Sequence, residues 1–458
     1  MMKKLLFACM ALIPLFSLSQ GWDYIGSSTG IANATEVDIE ITPNGNLYAA
    51  YIDASNSNKI TVRKWNANNS SWQLVGNAGI GDANVFDLEL VVLGETTPVV
   101  AAKTFYQTTY EFLEIYKFNG TSWLPQAIGS GGYNQIEHSY DYSLRGNASN
   151  QLFLTFFNVD EQATGYSPEN ALITVNMTTQ TLYGGASPNL EQTSFAGEVS
   201  SYIDGNNAYV IHGEADMSDY IPLDVSINGA AYSNYTLDNM DGASKMLIEK
   251  NNGATAYSSV WSVPYATYPL KFRSFNGTTL GTQANISTGS NVLDFDFDTY
   301  YNDAYVFYKT ATSCFYQKVS NVSSPSIPVA MSSGATLAPS TATSLKTEVY
   351  NNIYVIAYVN GGKFYVKEYN QLANIEDNDL FTMCESSVFN NSASNSIYCL
   401  DPNFSQQGLT MTCVSQNVSI IPNSALNISG SGSLQFSVNI ANTNAKAVKA
   451  FSPPDKSA

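Results

Sequence analysis

Apolar and polar residues alternate with a period of two over several short stretches, the pattern of a strand with one buried face. The sharpest examples are Val37 to Ile41, Phe86 to Leu90 and Leu293 to Asp298. Each precedes a turn, often rich in Asn, Asp and Gly, and then an apolar or aromatic stretch. Such residues tolerate the backbone conformations of tight hairpins. A further strand-like stretch follows, as at Ile60 to Trp65. The pattern predicts an all-β protein.

This arrangement recurs with a period of about 50 residues, which is typical of β-propellers with four strands per repeat. The clearest marker is the apolar strand after the turn. It occurs at Leu47 to Ile52, Pro98 to Ala102, Leu152 to Phe157, Ala208 to His212, Ala256 to Trp261, Ala304 to Tyr308 and Ile353 to Tyr358. We therefore predict a seven-bladed β-propeller of four-stranded antiparallel blades over residues 20–370, with six or eight blades as the alternatives.

A second marker, Trp-x-x-Ile/Val-Gly, begins at Trp22 and Trp72, and a looser copy begins at Trp123. The first copy stands before the first full repeat, whereas the last repeat ends after its third strand near Tyr369. The N-terminal strand should therefore complete the last blade, and closure of this kind removes exposed sheet edges. Because the tryptophans recur at one phase of the repeat, packing between blades is favoured over stacking on sugars.

The two ends of the chain differ from the repeat. An apolar run from Leu5 to Leu18 after basic residues predicts a cleaved signal peptide over residues 1–19. The mature protein should then be secreted or lie at the cell surface, without membrane insertion. Residues 371–383 are predicted to be a linker. Residues 384–458 alternate between strands and Gly/Ser turns, which predicts a partial β-sandwich that breaks off before completion.

Charge and cysteine content narrow the partners. The net charge of −18 opposes binding to nucleic acid or anionic membranes, which both need clustered basic residues. Cys384, Cys399 and Cys413 permit one disulfide in an oxidising compartment, and their pairing stays open. The sequence contains no HExxH, P-loop or dinucleotide-binding motif. We expect a monomer without a cofactor.

One candidate metal site lies on a single predicted strand. His212, Glu214 and Asp216 alternate onto one face, where an imidazole and two carboxylates are possible metal ligands. The favoured interpretation is that these polar residues simply continue into a solvated strand end.

A second candidate site lies in the predicted channel. Asp294, Asp296 and Asp298 share one strand face, and similar acids recur on other predicted inner strands. Those other acids are Asp38, Glu40, Asp87, Glu89 and Asp141. Carboxylates that converge on a channel can bind Ca²⁺, a cation that prefers oxygen ligands. Because residues that recur at equivalent positions usually serve the repeat itself, structural or solvated acids are favoured over a bound cation.

The W-x-x-[IV]-G, F-N-G-T and Asn/Gly-turn motifs resemble those of secreted propeller-repeat proteins of Bacteroidetes-type bacteria. The F-N-G-T motif begins at Phe118 and again at Phe275. The stretch from Leu409 to Ile440 resembles the Ig-like or cadherin-like repeats of adhesins from the same bacteria. The resemblance implies a surface or exported protein, and it implies no catalytic residues.

These observations favour a non-catalytic binding or adhesion protein that recognises an extracellular protein or glycan through its propeller loops. Two alternatives stay open. One is a carbohydrate-active enzyme, a glycosidase or lyase, with its carboxylates at the channel mouth. The other is a structural spacer within a larger surface protein.

Overall fold

A computed structural model of the chain describes residues 21–106, 110–128, 135–137, 141–158, 171–184, 198–213, 221–238, 245–251, 256–262, 270–287, 291–322, 325, 328–350, 353–370, 392–397, 426–429 and 434–439. The chain divides into two compact units. One unit is Trp22–Glu368, and the other combines Met1–Gly21 with Tyr369–Ala458.

Antiparallel strands build the Trp22–Glu368 unit, and the only helix among the described residues is a single 3-10 turn at Ala54–Asn56. The first five strands are β1 (Gly21–Tyr24), β2 (Ala32–Ile41), β3 (Leu47–Asp53), β4 (Lys59–Asn66) and β5 (Ser71–Leu74). The next five are β6 (Val85–Leu93), β7 (Thr97–Tyr106), β8 (Tyr110–Phe118), β9 (Trp123–Pro125) and β10 (Gln135–Glu137).

Four further groups of strands complete this unit. The first group is β11 (Tyr142–Gly146), β12 (Leu152–Asn158), β13 (Ala171–Asn176) and β14 (Thr181–Leu182). The second group is β15 (Val199–Asp204), β16 (Asn207–His212), β17 (Ile221–Ser226) and β18 (Ser233–Asp238). The third group is β19 (Lys245–Asn251), β20 (Ala256–Ser262), β21 (Lys271–Phe275) and β22 (Ala284–Asn285). The fourth group is β23 (Asp294–Tyr300), β24 (Asp303–Lys309), β25 (Cys314–Val319) and β26 (Val329–Ser333). The last three strands are β27 (Thr343–Tyr350), β28 (Ile353–Asn360) and β29 (Lys363–Asn370).

The sheets form a propeller arrangement, but not with the predicted number of separate blades. Five sheets stand alone: four have four strands, and β6–β10 form one of five strands, in which β9 and β10 both pair with β8. The remaining strands form one continuous eight-stranded sheet, because β2 pairs with β29 through Ala32 opposite Phe364 and Asn33 opposite Lys363. The prediction of seven separate four-stranded blades is therefore wrong.

The predicted closure by the N-terminal strand is confirmed. Strand β1 pairs with β29, near the other end of the unit, and Ile25 N donates to Val366 O at 2.9 Å. The first strands of the repeats also form a ring, in which each contacts the next and β27 contacts β2. We call β2, β6, β11, β15, β19, β23 and β27 the inner strands.

The core lies between neighbouring sheets, because each sheet has an apolar face that only its neighbour can cover. One cluster joins Tyr48, Ala50 and Ile52 of β3 to residues of the next sheet such as Leu88 and Val100. All seven predicted marker strands lie within strands of the structure, and every residue of β3 and β12 is buried. The prediction from apolar pattern is therefore confirmed at the level of strands.

The Trp-x-x-Ile/Val-Gly motif joins the outermost strands of successive repeats. The indole Nε1 of Trp72 donates to Ile25 O at 2.9 Å, and that of Trp123 donates to Val75 O at 2.8 Å. The glycine of the preceding motif copy is required, since a Cβ on Gly26 would lie 3.0 Å from the Trp72 ring and its φ is +99°. Trp72 and Trp123 therefore pack between successive repeats, as predicted.

The other unit contains one described sheet. Its strands are β30 (Ser392–Ile397), β31 (Leu426–Ser429) and β32 (Leu434–Asn439), and β32 lies between the other two. The predicted signal peptide, the linker and the three C-terminal cysteines lie outside the described residues, and the Ig-like sandwich stays a prediction. Within the part of the chain that is described, no helix has the length and hydropathy needed to cross a membrane.

Candidate functional site: the central channel

The inner strands surround a cavity of about 750 Å³ at the centre of the ring. Residues from all seven inner strands line it, because alternate side chains of a strand point to the same side. Seven of the lining residues are acidic: Asp38, Glu40, Glu89, Glu249, Asp296, Asp298 and Glu348. Three are basic: Arg145, Lys250 and Lys346.

Side-chain oxygens on the inner strands accept hydrogen bonds from backbone N–H groups of the next inner strand. From β23, Asp296 accepts from Thr347 N at 2.7 Å and Asp298 accepts from Val349 N at 2.6 Å. The described carboxylates that bond in this way are Asp38, Glu89, Asp141, Asp294, Asp296 and Asp298. Hydroxyl groups do the same from Ser143, Ser200 and Ser344.

These bonds explain why acids recur in the repeat. An inner strand is a sheet edge, and its N–H groups on the open side need acceptors once water is displaced. A carboxyl group at every second position of one strand meets every second N–H of its neighbour, and its oxygens can accept whether or not the group is ionised. The recurring acids therefore hold neighbouring sheets together at the channel.

Basic side chains neutralise part of the channel charge. Lys346 Nζ lies 3.2 Å from Asp38, and an Arg145 terminal nitrogen lies 3.2 Å from Glu249. Burial alone would lower the pKa of Lys346, but the surrounding carboxylates, Asp38 first, raise it well above its ordinary value. Lys346 therefore stays charged, although the lining as a whole has more acids than bases.

Several channel carboxyls hold a proton near neutral pH. Burial, reinforced by neighbouring acids, raises the pKa of Asp298 to about 8. Burial also raises the pKa of Glu89 to about 8 and that of Glu249 to about 7, although Arg145 opposes both shifts. The pKa values of Glu40 and Glu348 are raised well above the ordinary range by burial and by other acids. The cavity wall therefore offers O–H donors as well as acceptors.

Tyrosines and amides surround one end of the cavity, where the turns after the inner strands meet. We call this end the mouth and define it by Pro43, Asn147, Asn150, Tyr300, Tyr301 and Tyr350. Tyr301 is 60% exposed, and its ring meets that of Tyr300 edge-on at 4.5 Å between centroids. The Tyr350 hydroxyl donates to Pro43 O at 2.6 Å, which joins the end of β27 to the turn after β2.

Of the first predicted metal candidates, the structure describes only His212. His212 is buried at 1% exposure, and its Nε2 lies 2.9 Å from Asp224 Oδ2, whereas Glu214 and Asp216 lie outside the described residues. Among the residues that are described, no group of three or more His, Cys, Asp or Glu side chains is arranged to hold a metal ion. Asp294, Asp296 and Asp298 do share the channel face, but each accepts from a different N–H of β27.

Sequence reasoning missed several channel residues. Arg145, Glu249, Lys346 and Glu348 were not among the candidates, although polar residues alternate through β27 in the same way as through β23. That alternation was the signal that could have identified Lys346 and Glu348. Tyr300 and Tyr350 are the last residues of β23 and β27, one repeat apart, so the recurrence of this position was a signal that could have identified them.

No protein-family model and no curated protein matches this chain. Among solved structures, a protein of unknown function from Dyadobacter fermentans is similar at 10% identity and a TM-score of 0.44, covering 76% of this chain and 96% of that one. A prolyl endopeptidase is similar at 10% identity and a TM-score of 0.44, covering 74% of this chain and 50% of that one. The Aleuria aurantia lectin, in complex with Fucalpha1-6GlcNAc, is similar at 11% identity and a TM-score of 0.39, covering 69% of this chain and 98% of that one. Likeness at this level concerns the fold alone.

Proposed function

We propose that this protein is a non-catalytic binding protein that holds a glycan at the mouth of its central channel. The observation that carries the proposal is the open cavity of about 750 Å³, whose lining combines the exposed ring of Tyr301 with carboxyls that both donate and accept hydrogen bonds. The volume falls within the usual range for small-molecule sites.

The chemistry of the mouth suits a sugar. A pyranose has an apolar face that can pack on an aromatic ring, and tyrosine combines such a ring with a polar end. Its hydroxyls need donors and acceptors together, which amide groups and protonated carboxyls supply. Asn147 and Asn150 add amide groups to the lining of the same mouth. A rigid ring of bonded inner strands keeps these groups in place without a ligand.

The direct test is a glycan-binding screen with the purified full chain and with Tyr301→Asn. Asparagine tolerates the positive φ of 52° at this position, so that the variant removes the ring without adding backbone strain. We expect binding to weaken about threefold to tenfold, the range for one aromatic contact. Val329→Asn, at an exposed position on the outermost strand β26, is the matched control.

If no glycan binds, or if Tyr301→Asn and Val329→Asn behave alike, the mouth is not the site. Binding of a protein instead of a glycan would keep the binding class and change the ligand. Absence of any ligand would favour a spacer within a larger surface protein.

A carbohydrate-active enzyme is the second candidate, because a carboxyl with a pKa near 7, such as Glu249, resembles the general acid that glycoside cleavage requires. The same panel should be assayed for bond cleavage. We expect none. Turnover that Glu249→Gln or Glu89→Gln abolishes would establish the enzyme instead.

We also propose that the chain is exported and that residues 384–458 form an Ig-like or cadherin-like segment of a surface protein. The apolar run from Leu5 to Leu18 supports export. Mass spectrometry of the mature protein should find Gln20 at its N-terminus, and an intact Met1 in the secreted fraction would contradict the proposal.

A further inference from the structure

A second pocket lies at the junction inside the eight-stranded sheet and has the opposite charge character. It has a volume of about 330 Å³ and lies beside the short pairing of β2 with β29. Its charged lining residues are Arg63, Lys363 and Asp53. On a chain with a net charge of −18, a pocket with two cations and one acid is unusual.

Arg63 is held firmly but is not neutralised. Its Nε donates to the Tyr51 hydroxyl at 3.1 Å, and its Nη1 donates to Trp72 O at 3.0 Å. These two bonds use two of the five N–H groups of the guanidinium. Among the described residues, no carboxylate oxygen lies within 4.0 Å of its nitrogens. The guanidinium is therefore fixed in orientation with donors to spare.

Lys363 is positioned by a glycine. Its aliphatic stem lies against Gly30, where a Cβ would come within 2.6 Å of Lys363 Cδ, and Gly30 has a φ of +97°. The ammonium donates to Thr29 O at 3.2 Å and, like Arg63, has no carboxylate partner among the described residues. Two cations thus reach the same pocket without a counter-charge of their own.

The one carboxylate in the pocket is already saturated. Asp53 accepts from Ser55 N at 2.9 Å, from Thr61 Oγ1 at 3.0 Å and from Asn56 Nδ2 at 3.1 Å. It orders the turn after β3 instead of pairing with Arg63. Beside it, Asn33 and Ser55 are exposed polar groups, hydrogen-bonded to each other at 2.9 Å.

We propose that this pocket binds the carboxylate of an acidic sugar of the uronic-acid class. The planar guanidinium matches a carboxylate with two parallel bonds, and Lys363 adds a point charge beside it. The volume suits one sugar residue, and Asn33 with Ser55 supplies partners for its hydroxyls. This site is separate from the channel mouth and does not depend on the glycan proposed there.

The test measures binding of glucuronate and galacturonate, with glucose as the uncharged probe, to the full chain by ligand-observed NMR and calorimetry. We expect the uronates to bind and glucose not to bind, with affinity that falls as salt rises. Arg63→Lys keeps the positive charge but loses the planar guanidinium that can make two parallel bonds to a carboxylate. This variant should weaken binding about tenfold or more. Lys363→Gln should weaken it about fivefold.

Lys64→Gln is the matched control, because it removes the same charge from the neighbouring position on β4 at a residue outside the pocket lining. It should bind uronates as the wild type does. Failure of the uronates to bind the wild type, or equal binding by wild type, Arg63→Lys and Lys363→Gln, would overturn the proposal. Because Lys363 is exposed, its variant tests the site even if Arg63→Lys is unstable. Tyr301→Asn should leave uronate binding unchanged, which separates this site from the mouth.

Discussion

Neighbouring sheets of the propeller are joined in different ways at the channel and at the rim. At the channel, carboxylates such as Asp298 accept hydrogen bonds from the backbone of the next inner strand. At the rim, Trp72 and Trp123 pack on glycines and donate to backbone carbonyls of the preceding motif copy. Both devices satisfy backbone groups across a sheet junction, but only the first carries ionisable groups. The channel junctions should therefore respond to pH, whereas the rim junctions should not.

The largest effect is expected at the rim. Trp72→Ala removes a buried indole and its bond to Ile25 O, and large-to-small changes of this kind cost about 3–5 kcal/mol in the free energy of unfolding. Leu74→Ala on the same strand, where the side chain is 47% exposed, should cost less than about 0.5 kcal/mol. Chemical denaturation measures both. Equal effects would show that the tryptophan does not join the two repeats.

A smaller effect is expected at the channel. Asp298→Ala leaves the N–H groups of Val349 and Thr299 without their acceptor, which costs about 1–3 kcal/mol. Asp298→Asn keeps an oxygen acceptor and should be tolerated. If the alanine variant is as stable as the wild type, the carboxylate does not support the junction.

The smallest effect is the response of the wild type to pH. The pKa values of Glu89 and Asp298 are raised to about 8, while an unfolded carboxyl titrates near 4. The folded state therefore binds more protons between these values, so that stability falls as pH rises towards 8. We expect the two groups together to lower the free energy of unfolding by about 2 kcal/mol between pH 7 and 8, about 1 kcal/mol each. Thermal unfolding over this range measures it, and a rise in stability would contradict the assignment.

Local pattern predicted the strands and their faces, because burial of one face requires alternation along each strand. The closure of β1 on β29 also followed from the phase of the repeat. The repeat did not predict that the first and last blades merge into one sheet. That merging rests on two residue pairs, such as Ala32 with Phe364, which only the closed ring brings together.

The candidate site was harder to predict than the fold. The recurring acids were visible in the sequence, and the structure shows that six of them bond to the neighbouring backbone. The raised pKa values of Glu89, Asp296 and Asp298 depend on burial, and that of Asp298 also on the charge of Glu249 from another inner strand. Arg63 and Lys363 come together only in the tertiary structure, because Lys363 lies in the last repeat and Arg63 in the first. The tyrosines of the mouth also come together only in the tertiary structure.

The central claim is that the channel carboxylates join neighbouring sheets and are held partly protonated by their burial. The most direct measurement compares the unfolding free energies of wild type and Asp298→Asn at pH 5 and at pH 8. The variant keeps the acceptor but cannot ionise, so it should gain stability relative to the wild type as pH rises. A difference between the two proteins that stays constant across this range, or that moves in favour of the wild type at pH 8, would contradict the claim.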